Sequence, residues 1–128
     1  MAKRVLIIDD DKDILEVLDL IFSDVMYQVF YSTDAKQLYS LMEEVKPDLL
    51  ILDYFLNGVT AAEICRKIKD DPETKELPII IVSAYPANKL DLERSSYDLF
   101  IPKPFDIEAI TKQATELVAF KGFRTVNF

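Results

Sequence analysis

Five side chains with chemistry to offer each come directly behind a short apolar run. Asp9 and Asp10 follow residues 5–8, Asp53 follows 49–52, Ser83 follows 79–82, and Lys103 comes after 99–101 and Pro102. Taken singly, each has an ordinary explanation. A strand-end Asp53 turns the chain or caps a helix, and Asp9, Asp10 and Asp11 are acids at a helix start. Together they set three carboxylates, a hydroxyl and an ammonium on one edge of a sheet, if the strands run parallel. Ionised carboxylates about 5 Å apart, at an effective dielectric near 20, repel by roughly 3 kcal/mol per pair. Such a cluster requires a compensating charge. Because every ligand atom is an oxygen, a hard divalent cation fits, and a site of few carboxylates suits magnesium. Beside a metal, Asp53 becomes a nucleophile toward phosphorus, forming an aspartyl phosphate. Lys103 offsets charge on the transferring oxygens, and Ser83 hydrogen-bonds one of them. A carboxylate needs no general base, which agrees with a chain that has no histidine.

The elements that must position these groups follow from periodicity. Unbroken apolar runs at Arg4–Ile8, 49–52, 79–82 and 99–101, bounded by turn residues, read as strands buried on both faces. A further strand, rich in aromatic and β-branched residues, is expected over residues 27–32. Between them lie helical stripes: Ile14, Leu18, Ile21, Phe22 and Val25 behind an Asp11 cap, then Ala35, Leu38, Leu41, Met42 and Val45 up to Pro47. Thr60 and Glu63 form a capping-box pattern opening a third helix, which Asp71-Pro72 ends. Residues 87–96 show little periodicity and predict a short or irregular helix. Asp106 caps a last helix carrying Ile107, Ile110, Ala114, Leu117 and Val118, expected to end near Gly122. Strand-helix alternation with two-sided burial predicts one doubly wound α/β domain with five parallel strands. Its core is expected over residues 3–120, with a short tail at 121–128.

The balance of the chain narrows its class. At 128 residues, half of them hydrophobic, it is long enough for one real core. A net charge of −8 argues against a nucleic-acid surface and is compatible with cations or basic partners. Cys65 is the one cysteine and sits on a helical apolar face, as a small buried residue. Without histidine and with a single thiol, a zinc site and a His-based triad are excluded. The apolar run after Lys3-Arg4 is too short for a signal peptide or a membrane span, so a soluble cytoplasmic protein is expected.

Asp9-Asp10, Leu52-Asp53, Ser83-Ala84 and Lys103-Pro104-Phe105, in this order, resemble the receiver domain of two-component response regulators. The resemblance runs from about Lys3 to about Phe120. It implies a flavodoxin-like (βα)5 sandwich with strand order 2-1-3-4-5. It implies that Asp53 is the phosphoacceptor, and that Asp9 and Asp10 hold magnesium, or manganese as a substitute, with Asp53 and the Phe55 backbone carbonyl. Lys103 is then the lysine that contacts the phosphoryl group, Ser83 the switch hydroxyl, and Phe100 the aromatic that follows it. Read from the residues alone, Phe100 is better explained as an ordinary half-buried strand aromatic. The resemblance also implies a cis Lys103–Pro104 bond.

The function implied is a stand-alone phosphoacceptor that assists its own phosphorylation and dephosphorylation without being a conventional enzyme. Its partners are a sensor histidine kinase or histidine phosphotransfer protein and a downstream output protein, with no nucleic acid or membrane. It would be a monomer or a phosphorylation-dependent dimer. The alternative is a receiver-fold interaction module that does not use phosphorylation. A phosphatase of the haloacid-dehalogenase type is disfavoured because Phe55 stands where its second acid belongs, and a flavodoxin because no phosphate loop follows the first strand. The chain also departs from the family pattern. Asn57 and Ala61 stand where Pro and Gly are common, predicting a changed loop path. Ser96-Tyr97 replaces a small pair, the interval from Ser83 to Lys103 is about two residues short, and Pro102 adjoins the lysine, so the neighbouring partner face is expected to be atypical. Phe55 and Tyr85 are expected to flank the phosphoryl group and slow its hydrolysis.

Overall fold

A computed structural model describes the backbone of residues 2–126 and the side chains of residues 2–121. Strands β1 (Arg4–Ile8), β2 (Gln28–Ser32), β3 (Leu49–Asp53), β6 (Ile79–Ser83) and β7 (Leu99–Pro102) form one parallel sheet in the order β2-β1-β3-β6-β7. Counting only these strands, the order is 2-1-3-4-5, the flavodoxin-like arrangement the sequence implies. Side chains alternate between the two faces. Leu6, Ile8, Leu50, Leu52, Ile79 and Ile81 meet helices α2 (Leu38–Val45) and α3 (Ala61–Asp70). Val5, Ile7, Leu49, Ile51, Ile80 and Val82 meet α1 (Lys12–Asp24) and α4 (Ile107–Val126) on the other side.

The helix starts are those the caps dictate. Asp11 accepts from the Asp13 N–H at 2.9 Å, and Asp106 from the Glu108 N–H at 2.9 Å. At α3 the box closes in both directions, with the Thr60 N–H donating to Glu63 at 2.9 Å and the Glu63 N–H to Thr60 at 3.4 Å. These contacts set each helix directly behind a strand's C-terminal end.

Three segments correct or refine the expected pattern. The last helix does not stop near Gly122 but continues to Val126, since a glycine inside a helix costs only about 1 kcal/mol relative to alanine and no proline follows. Residues 127–128 of the expected tail lie outside the described residues. Residues 87–96 form two short 3-10 turns, Ala87–Lys89 and Arg94–Ser96, in keeping with the short or irregular helix expected there. Leu90 and Leu92 are two apart, a spacing that brings both to one side only in extended chain, and both pack against the α2–α3 face of the sheet. The loop after Asp53 is a small hairpin, β4 (Phe55–Leu56) against β5 (Val59–Thr60). Asn57-Gly58 between two short apolar stretches is a strong hairpin signal.

Gly58 turns that hairpin at φ +80, and a Cβ added there would meet nothing within 4 Å. The cost of a side chain is therefore purely conformational. Gly58→Ala is expected to lower stability by about 1 kcal/mol or slightly more, and Gly58→Asn by clearly less. Urea unfolding of the two variants checks this, and equal losses would mean that φ is not the cause.

Candidate functional site

The parallel sheet brings the strand ends to one edge. Asp9 leaves β1, Asp10 follows it, and Asp53 closes β3; oxygens from all three lie within 4.8 Å of one another. Asp9 is fully buried, Asp10 is exposed, and Asp53 lies between the two. The Asp11 N–H donates to Asp9 Oδ1 at 3.0 Å, so the first turn of α1 orients one ligand. The Tyr54 N–H does the same for Asp53 Oδ1 at 2.9 Å. Among the described residues, this is the group of acids that could hold a metal ion, and its all-oxygen donor set fits magnesium.

Lys103 enters from β7. Its Nζ is 3.0 Å from Asp9 Oδ2 and 3.5 Å from Asp53 Oδ1, with the lysine side chain 16% exposed. Burial opposes its charge, but the hydrogen bond to Asp9 and the field of both carboxylates outweigh that and hold the ammonium above its ordinary pKa. Asp53 moves the other way in stability. Burial, then the charge on Asp9, push its carboxyl from 3.8 to about 6, against the pull of Lys103 and the Tyr54 N–H. The lysine thus compensates only part of the negative charge, which leaves an electrostatic demand for a cation.

Ser83 ends β6 and is buried. Its hydroxyl accepts the Tyr85 N–H at 3.0 Å, and its carbonyl accepts the Lys103 N–H at 2.7 Å, tying the two loops beside Asp53 together. The Lys103–Pro104 peptide is cis. Phe100 pairs with Ile81 in β7, half-buried against the α2–α3 side of the sheet, away from the acidic cluster's own strands. Phe55 and Tyr85 are 49% and 56% exposed and pack edge-to-face with ring centroids 5.3 Å apart. They belong to the segments that follow Asp53 and Ser83. Tyr54 was not singled out from sequence. Its amide touches Asp53, while its hydroxyl donates to the Asp91 carbonyl at 3.3 Å. No local pattern signals a contact to a carbonyl so far along the chain.

The sequence model for the family described as "Response regulator receiver domain" matches residues 5–115. Response regulator PleD of Caulobacter vibrioides is 26% identical over 123 residues, covering 94% of this chain and 27% of that protein. The phosphate regulon transcriptional regulatory protein PhoB of Pseudomonas aeruginosa is 31% identical over 107 residues, covering 82% of this chain and 47% of the relative. The chain therefore spans less than half the length of these curated relatives. Among solved structures, a CheY-like receiver domain protein from Methanospirillum hungatei superposes with a TM-score of 0.87 at 22% identity, over 97% of this chain and 99% of the other. The receiver domain of the sensor histidine kinase PA1611 from Pseudomonas aeruginosa, with magnesium coordinated in its active-site cleft, gives 0.82 at 16% identity, over 93% and 99%. At such identities the structures speak for the fold.

The raised pKa of Asp53 has a measurable consequence. Its folded value, about 6, exceeds the ordinary 3.8, so the native state binds the proton more tightly than the unfolded chain. The ionised group therefore costs stability above about pH 6, and that cost is lost as the pH falls toward 3.8. Asp53→Asn is expected to stabilise the protein in chelator at about pH 7.5 by on the order of 2 kcal/mol, with the gain shrinking several-fold by about pH 4. Denaturant unfolding at both pH values tests this; a gain that ignores pH would rule out the charge as its source.

Proposed function

The chain belongs to the response regulator receiver family, and on that premise we propose that it is a magnesium-dependent phosphoacceptor, phosphorylated on Asp53. Receiver domains are signalling phosphoacceptors that bind magnesium at an acidic pocket and interact with histidine kinases and output domains. The observation that carries the reading is the convergence of Asp9, Asp10 and Asp53 within 4.8 Å with Lys103 Nζ at 3.0 Å from Asp9. Asp9, Asp10, Asp53 and the Phe55 carbonyl would hold the ion, which supplies positive charge for the phosphoryl oxygens.

This chain's residues account for the rest of the transfer. An Asp53 oxygen attacks phosphorus while the donor's bond to phosphorus breaks, its electron pair leaving with the donor, a phosphohistidine nitrogen of a kinase or phosphotransfer protein. Lys103, already 3.5 Å from Asp53 and held by Asp9, neutralises charge on an equatorial oxygen. The Ser83 hydroxyl turns to bond another, and Phe100 follows it on the neighbouring strand. Phosphorylation then shifts a two-state equilibrium toward a form that a separate output protein binds. A cytoplasmic location, a non-enzymatic role and a monomer or phosphorylation-dependent dimer go with this reading, in one domain whose core is residues 3–120.

Intact mass after incubation with magnesium and acetyl phosphate tests it. One added phosphoryl group is expected, absent from Asp53→Asn and abolished by chelator; no adduct would favour a phosphorylation-independent interaction module. The exposed pair Phe55–Tyr85 supports a second expectation. The two rings narrow the approach of water to the phosphoryl group, so Phe55→Asn or Tyr85→Ala should shorten the phosphoryl half-life about several-fold, roughly 1 kcal/mol of barrier. An unchanged half-life in both variants would refute that role.

A further inference from the structure

Tyr54 is 4% exposed and touches two regions at once. Its N–H donates to Asp53 Oδ1 at 2.9 Å, and its hydroxyl donates to the Asp91 carbonyl at 3.3 Å, between the two 3-10 turns. Among the described residues, the latter is the one hydrogen bond that joins residues 86–97 to the rest of the protein; their other bonds are internal, such as Lys89 to Pro86 and Ser96 to Glu93. The Arg66–Asp91 ion pair, 3.8 Å long with Asp91 90% exposed, adds little. The segment otherwise rests on the packing of Leu90, Leu92 and Tyr97.

We propose that Tyr54 is a positioning residue that links the state of Asp53 to the hold on residues 86–97, its amide reading the carboxylate and its hydroxyl tethering the segment. The link rests on Asp53 being the phosphoacceptor. When an Asp53 oxygen bonds to phosphorus, the carboxylate's charge passes to the phosphoryl oxygens. The Tyr54 N–H loses a charged acceptor, and charge-assisted bonds are about twice as strong as neutral ones. At 3.3 Å the hydroxyl's bond is already longer than the usual O–H···O. A main-chain shift of about half an ångström ends it. Phosphorylation therefore frees the segment, and the chain uses a tyrosine lever where a continuous helix would be rigid.

Amide hydrogen exchange followed by NMR tests the lever, with the adduct measured by intact mass in the same samples. The reporters are the amides of Lys89, Leu90, Leu92 and Ser96, each bonded within the segment. In the wild type, magnesium and acetyl phosphate are expected to raise their exchange about five-fold, the size expected for one lost hydrogen bond. In Tyr54→Phe, exchange should be raised before phosphorylation and change no further on it. Asp91→Asn, which removes the ion pair and keeps the carbonyl, should behave as wild type. An adduct without an exchange change in the wild type overturns the proposal, and so does Tyr54→Phe responding as wild type. Absence of the adduct instead overturns the phosphoacceptor reading beneath it. Tyr54→Leu, apolar and without a donor, carries the same test if Tyr54→Phe exchanges globally.

Discussion

Carboxylates whose oxygens lie within 4.8 Å of one another push apart, and two of the three here are adjacent in the chain. What opposes that push comes from the far side of the sequence: Lys103, whose ammonium reaches Asp9 at 3.0 Å and Asp53 at 3.5 Å. The lysine is one charge against three. It holds the cluster without satisfying it, which is why Asp53 remains reluctant to ionise while Lys103 is more firmly protonated than usual. The negative charge left uncompensated at this edge is the charge that a bound cation would neutralise.

Holding such a cluster needs a platform that does not yield, and two-sided burial supplies it. Val5 to Ile8, Leu49 to Leu52 and Ile79 to Val82 are all fully buried. Each strand faces helices on both sides, so sliding by one residue would exchange two different packing surfaces at once. The strand ends are thereby fixed relative to one another.

Much of this was legible in the sequence because it depends on local pattern. Unbroken apolar runs, the Thr60–Glu63 box and the Asp11 and Asp106 caps each act within a few residues, and the parallel sheet follows from their alternation. The strand-end groups could be gathered on one edge by topology alone. What escaped the reading depends on contacts made at a distance or on weak backbone costs. Nothing near Tyr54 announces that its hydroxyl meets the Asp91 carbonyl. Gly122 looks like a stop yet is carried through by its helix. The segment with Leu90 and Leu92 shows little periodicity, enough to expect short or irregular helix, but where its two 3-10 turns fall depends on packing against the sheet face.

Pro102, the last residue of the outer strand β7, limits how this sheet can meet another chain. The next residue, Lys103, sends its N–H inward to the Ser83 carbonyl, and successive strand residues direct their backbone groups to opposite sides. Pro102 therefore faces outward, where a strand from a second molecule would look for an N–H and find a ring. A strand added beside the acidic cluster would lack that hydrogen bond. A proline in this place discourages edge-to-edge pairing of a sheet whose inner strands are buried and aliphatic.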